Sequence, residues 1–162
     1  MAGGMTGSLD LPAILGAAAI GLGLSIGLGL IMGFLALLDP GMAPLWSEDM
    51  DEEALEAEMK ERVRRELNQP AMLLALLVFS VVVMMFTGFL AARWANGVSL
   101  PEAALNAGAA GALYMTVAMV MERVEKARGM TFPRWYALLT HALTLPAALA
   151  GGWLHVLSTG GM

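Results

Sequence analysis

The chain has 162 residues, the length of one domain, and is 58% hydrophobic but only 14% charged, against about 25% charged in soluble domains. Its mean hydropathy of +0.69 points to a lipid environment. It has no cysteine, which excludes disulfides, thiolate metal sites and cysteine nucleophiles. The formal net charge of -5 is gathered in two loops, and no basic patch is interleaved with aromatics, so no nucleic-acid partner is expected.

The first ten residues carry no Lys or Arg, and the first apolar stretch is too long for the core of a cleavable signal. The chain is therefore expected to keep its N-terminus.

A helix needs about 20 apolar residues to cross a hydrocarbon core of about 30 Å. Four stretches qualify, at about 11–38, 70–92, 101–121 and 133–157. The first lies between Asp10 and Asp39, with Pro40-Gly41 ending it, and is long enough to tilt. The second opens with Asn68-Gln69-Pro70, a good helix entry. Ser99 and Glu102 form an S-x-x-E capping box for the third, with Pro101 inside its first turn. The fourth follows Thr131, a plausible cap, and Pro133. Such helices lack the polar stripe of a soluble bundle. The expected fold is all-α, an integral membrane four-helix bundle forming a single domain.

Orientation follows from the basic residues. Lys60, Arg62, Arg64 and Arg65 lie between spans one and two, and Arg123, Lys126, Arg128 and Arg134 between spans three and four. Only Arg93 belongs to the second loop. The positive-inside rule then makes loops one and three cytoplasmic and puts both termini outside, in a multi-pass cell (inner) membrane protein. Trp46 and Trp135 flank the inner interface, Trp94 and Trp153 the outer one.

The first loop, about 47–67, reads as an amphipathic cytoplasmic helix capped by Ser47. Glu48, Asp49, Asp51, Glu52 and Glu53 crowd its start, and Lys60, Arg62, Arg64 and Arg65 its end, as the helix dipole favours. Glu58–Arg62 and Glu61–Arg65 are i,i+4 pairs. Leu55, Met59, Val63 and Leu67 form a narrow apolar stripe. The stripe either rests on the bundle or lipid surface, or docks a partner subunit.

Span one holds the sharpest pattern in the chain. Ala17, Gly21, Ser25, Gly29 and Gly33 recur every four residues, and Gly23 and Gly27 form a second G-x-x-x-G. In membranes such ridges admit the close approach of another backbone. The segment from Gly21 to Gly29 resembles the glycine-rich inner helix of rotary ATP synthase ring subunits. Those subunits are two-span hairpins with an acid midway down the second helix, which no span here has, so ion translocation is not carried over. The ridge packs either against the protein's own third span, whose small residues are Ala104, Ala107, Gly108, Gly111 and Ala112, or against another chain.

Ionisable residues within a span are functional candidates. His141 is the clear case, and His155 lies near the outer end of span four. They are separated by nearly four helical turns, about 21 Å on a shared face. This spacing resembles that of histidines ligating two stacked haems in b-type cytochromes; here the opposite ligands would come from another subunit or an axial methionine. The bland alternative is a histidine bonded to Thr140, Thr144 or a carbonyl. Among 14 methionines, Met115 and Met119 form an M-x-x-x-M, with Met121 and the pair Met84-Met85 as possible neighbours. This resembles the methionine pair of high-affinity copper uptake channels, in a chain of different span count, and thioethers suit Cu(I). Methionine stripes also serve as core filler. No cofactor is predicted.

The main reading is a non-catalytic membrane subunit that packs into a larger complex through the span-one ridge and the charged helix. Its partners would be the lipid bilayer and other membrane subunits or copies of itself. The alternatives are a small homo-oligomeric transporter or channel, and a haem- or copper-binding membrane protein using His141/His155 or Met115/Met119. Ser80, Thr87, Asn106, Thr116 and Thr140 are too few to line a wide aqueous path.

The orientation is directly testable. Cysteines introduced at Glu56 and Gly129 should be shielded from an impermeant thiol reagent in intact cells, whereas one at Ser158 should react. The reverse labelling would invert the topology.

Overall fold

The computed structural model describes residues 8–37, 51–96, 99–127 and 132–160. Five helices follow in order: α1 (Leu11–Leu37), α2 (Glu52–Leu67), α3 (Pro70–Trp94), α4 (Leu100–Ala127) and α5 (Arg134–Ser158). All but α2 are long and apolar enough to cross a membrane, so the protein is a multi-pass, all-α membrane bundle. The expected anchors and caps Trp46, Ser47 and Thr131, the acids Asp39, Glu48 and Asp49, the Pro40-Gly41 stop and Arg128 lie outside the described residues.

The boundaries differ from the sequence reading in instructive places. α4 runs to Ala127 rather than stopping at Met121. Hydropathy marks where the lipid ends, and the good helix formers beyond that point carry the helix on into water. α2 starts at Glu52, and its cap is Asp51, whose carboxylate accepts from the N–H of Ala54 at 2.7 Å. In α2, Glu58 pairs with Arg62 at 2.9 Å as expected, but Glu61 pairs with Arg64 at 3.1 Å rather than with Arg65. Residues three apart are neighbours on a helix as much as those four apart. At the start of α4, the expected capping residues Ser99 and Glu102 bond each other at 2.9 Å, and the N–H of Ala103 closes the first turn on Ser99.

α3, α4 and α5 form the core of the bundle, with the most extensive contact between α3 and α5. α1 packs against α3 and α4. The α3–α5 contact is made possible by two glycines. A Cβ on Gly88 would overlap the carbonyl of Ala148, lying 2.6 Å from its carbon. A Cβ on Gly151 would lie 2.7 Å from the carbonyl carbon of Met85 and 2.8 Å from the nitrogen of Phe89. Backbone therefore rests directly on backbone. One residue on, α5 presents a second small face to α4, where a Cβ on Gly152 would meet Ala107 at 2.8 Å and the Ala103 carbonyl at 3.0 Å. Gly111 of α4 likewise abuts Ala148.

Two adjacent small-x-x-x-small rows, Ala147–Gly151 and Ala148–Gly152, let α5 approach two helices at once. Above and below this contact lie the larger side chains. Val83, Met84, Tyr114 and Ala147 form one cluster, and Ile14, Ala17, Leu90, Ala91 and Ala110 another.

Gly88→Ala and Gly151→Ala should each force these backbones apart, at about 1–3 kcal/mol of overpacking. A lowered melting temperature in detergent is the expected readout. Gly23→Ala, where nothing lies within 4 Å, should leave it unchanged or raised, since alanine is the better helix former by about 1 kcal/mol.

Candidate functional site

α1 is anchored at its N-terminal end. Asp10 caps it, accepting from the N–H of Ala13 at 3.0 Å. Asn106 of α4 is buried and holds the same point. Its side-chain oxygen accepts from the Asp10 N–H at 2.8 Å, and its nitrogen donates to Glu102 O at 3.0 Å and Ser8 O at 3.3 Å. In a membrane such a buried amide must be satisfied internally, and here every bond it makes fixes α1 to α4 or α4 to itself. Ala13, Ile14, Ala17 and Ala18 are buried below it.

The small-residue ridge divides at this helix's middle. Ala17 is fully buried. A Cβ on Gly21 would overlap the Thr87 hydroxyl and lie 3.5 Å from the Met84 methyl, so this glycine is needed for α3 to approach. Ser25 is bonded to Tyr114 of α4, oxygen to oxygen, at 2.8 Å. These three ridge members therefore serve packing within the chain. By contrast, among the described residues nothing lies within 4 Å of where a Cβ on Gly23, Gly27, Gly29 or Gly33 would sit. Of the ridge glycines, Gly21 makes the close approach within the chain, because α1 lies against α3 and α4 up to about Ser25. Leu30 and Phe34 in the second half are 71% and 62% exposed.

Three of the α4 small residues expected to receive this ridge, Ala107, Gly108 and Gly111, lie against α5. Gly108 faces Leu149, and Gly111 faces Ala148, both on α5. α1 instead meets Asn106, Ala110 and Tyr114. The apolar stripe of α2 is neither free nor buried: Leu55, Met59, Val63 and Leu67 are all half-buried, and the helix makes only limited contacts with α1 and α3.

The candidate ligands are dispersed. His141 lies 3.6 Å from Glu122 of α4, and not on the hydroxyls of Thr140 or Thr144, which bond the carbonyls of Tyr136 and Thr140. A threonine in a helix finds its own i−4 carbonyl first. His155 is buried, edge-on to Phe89 with ring centroids 5.5 Å apart, and its Nδ1 has no hydrogen-bond partner among the described residues. Met84 is buried in the core, whereas Met119 and Met121 are 40% and 45% exposed on the bundle surface. Among the described residues, no group of three His, Asp or Glu side chains comes together.

No family model, no curated protein and no solved structure matches the chain. The open half of α1 is thus the feature whose local chemistry is least explained by the chain's own packing. The glycines that matter most to the fold, Gly88, Gly151 and Gly152, were not singled out from the sequence. Their signal was present in the doubled row Ala147-Ala148 and Gly151-Gly152.

Ser25 and Tyr114 make a sharp test of how α1 is held. Ser25→Ala and Tyr114→Phe should each lower stability modestly, and the double variant should be no worse than either. Coupling energies for such bonds inside membranes average about 0.6 kcal/mol, measured as a double-mutant cycle of unfolding in mixed micelles.

Proposed function

We propose that the protein is a non-catalytic subunit of a larger assembly in the cell (inner) membrane, joined to another transmembrane helix through the second half of α1. The observation that carries this reading is the openness around Gly23, Gly27, Gly29 and Gly33. Each glycine lowers helix propensity by about 1 kcal/mol relative to alanine, and in lipid its compensating gain is the close approach of a second backbone. Gly21 receives that gain from α3. The next glycines along α1 receive none from the described residues of their own chain, which leaves a surface suited to a helix from a second chain or copy. On the positive-inside rule, this half of α1 leads towards the cytoplasm. α2 would sit there as an additional docking element through Leu55, Met59, Val63 and Leu67.

Three leucine substitutions separate assembly from folding. Gly21→Leu should destabilise the isolated protein, since Thr87 occupies the space. Gly29→Leu and Gly33→Leu should leave the isolated protein's melting temperature unchanged yet abolish co-purification with partners, or reduce the size of the homo-oligomer, in mild detergent. If Gly29→Leu and Gly33→Leu leave the assembly intact, the proposal fails.

A further inference from the structure

A cleft of about 610 Å³ opens at the end of the bundle where α2 stops and α3 and α5 begin. Glu61, Arg64, Arg65, Asn68, Gln69, Phe132 and Pro133 line it. Its depth in the membrane is set by its walls. Pro70 and Arg134 are the first residues of two spans, so the cleft lies where hydrocarbon gives way to headgroups. Phe132 lies on Tyr136 with ring centroids 5.4 Å apart, and Trp135 is edge-on to Tyr136 at 6.0 Å. An aromatic group of this kind is what the interfacial layer selects.

The polar wall is suited to an anion. Arg64 spends one side of its guanidinium on Glu61, at 3.1 Å, and a guanidinium has further N–H donors to offer. Arg65 is exposed and has no ion-pair or hydrogen-bond partner among the described residues. Asn68 removes the chief competitor. Its backbone N–H bonds Arg64 O at 3.1 Å, its side-chain amide donates to the same carbonyl at 2.7 Å, and the Gln69 N–H bonds Glu66 O at 3.1 Å. The negative end of α2 is thus covered by donors where an anion would approach. Adjacent arginines presenting forked donors match the oxygens of a phosphate ester. Phe132 and Pro133 supply the apolar wall that the glycerol and upper acyl chain of a lipid would lie against.

We propose that this cleft binds a phosphate ester anion through Arg64 and Arg65, with an anionic phospholipid headgroup as the ligand that its depth selects. Basic recesses between transmembrane helices at the headgroup level are suited to such lipids. The site is independent of the assembly surface on α1.

The test uses the full chain in neutral detergent, with melting temperature and native mass spectrometry as readouts. Phosphatidylglycerol should raise the melting temperature and remain bound to the chain, and phosphatidylcholine should do neither. Arg64→Gln/Arg65→Gln should lose most of the shift and the retained lipid, whereas Lys60→Gln, which removes one charge outside the cleft, should keep both. Arg65→Gln alone, which breaks no existing ion pair, gives the same comparison should the double variant fold poorly. Inorganic phosphate is the second arm. If it reproduces an Arg65-dependent shift, the phosphate site stands and its ligand is a soluble ester. A phosphatidylglycerol effect that survives Arg65→Gln, that is lost equally in Lys60→Gln, or that never appears overturns the proposal.

Discussion

The structure depends on backbone meeting backbone between α3 and α5. In lipid, apolar side chains gain nothing by leaving the solvent, because acyl chains are as apolar as leucine. Helices hold together through dispersion, and each atom pair contributes only about 0.1–0.2 kcal/mol. The sum becomes large only when the axes come close. Gly88 and Gly151 remove the two Cβ atoms that would hold α3 and α5 apart. α5 then uses Ala148 and Gly152 to draw in α4 in the same way. The polar groups of this core are satisfied locally, as with Thr87 bonding Val83 O at 2.8 Å and Thr144 bonding Thr140 O at 2.8 Å.

α1 is the exception to this economy of contact, and its asymmetry follows from where its fastenings lie. Asn106 grips the start of the helix and Tyr114 its middle. Between them they hold the stretch of α1 from Asp10 to Ser25 against α4. Beyond Ser25 no equivalent polar tie occurs among the described residues, and the glycines there face open space. A helix held at one end and largely open at the other can accept a neighbour without rearranging the bundle.

Much of the fold was legible in the sequence because lipid imposes length and composition directly. Span number, the helix entries at Asn68–Gln69 and Ser99 and the charge-biased α2 all follow from single-residue properties. What was not legible is which small residues meet. A spacing of four drifts around a helix, so the ridge from Ala17 to Gly33 cannot remain on one contact face, and the structure ends its intrachain use at Ser25. The glycines of span one form the longer and more regular series, yet the shorter doubled row in span four carries the tighter contact. The cleft beside Arg64 and Arg65 escaped sequence reading for another reason: it joins residues from α2 and from the start of α5, separated by two intervening spans.

The central claim, that the second half of α1 meets another chain, can be tested by placing single cysteines in this cysteine-free protein and cross-linking it in native membranes. Cysteines at Gly27 and Gly33 should give a defined adduct, twice the protein's mass for a second copy or a single heavier band for a different subunit. A cysteine at Leu138, which is 71% exposed on α5, reports random collision in the bilayer. Adducts at Gly27 and Gly33 that exceed the Leu138 background would support the account, and yields no greater than that background would contradict it.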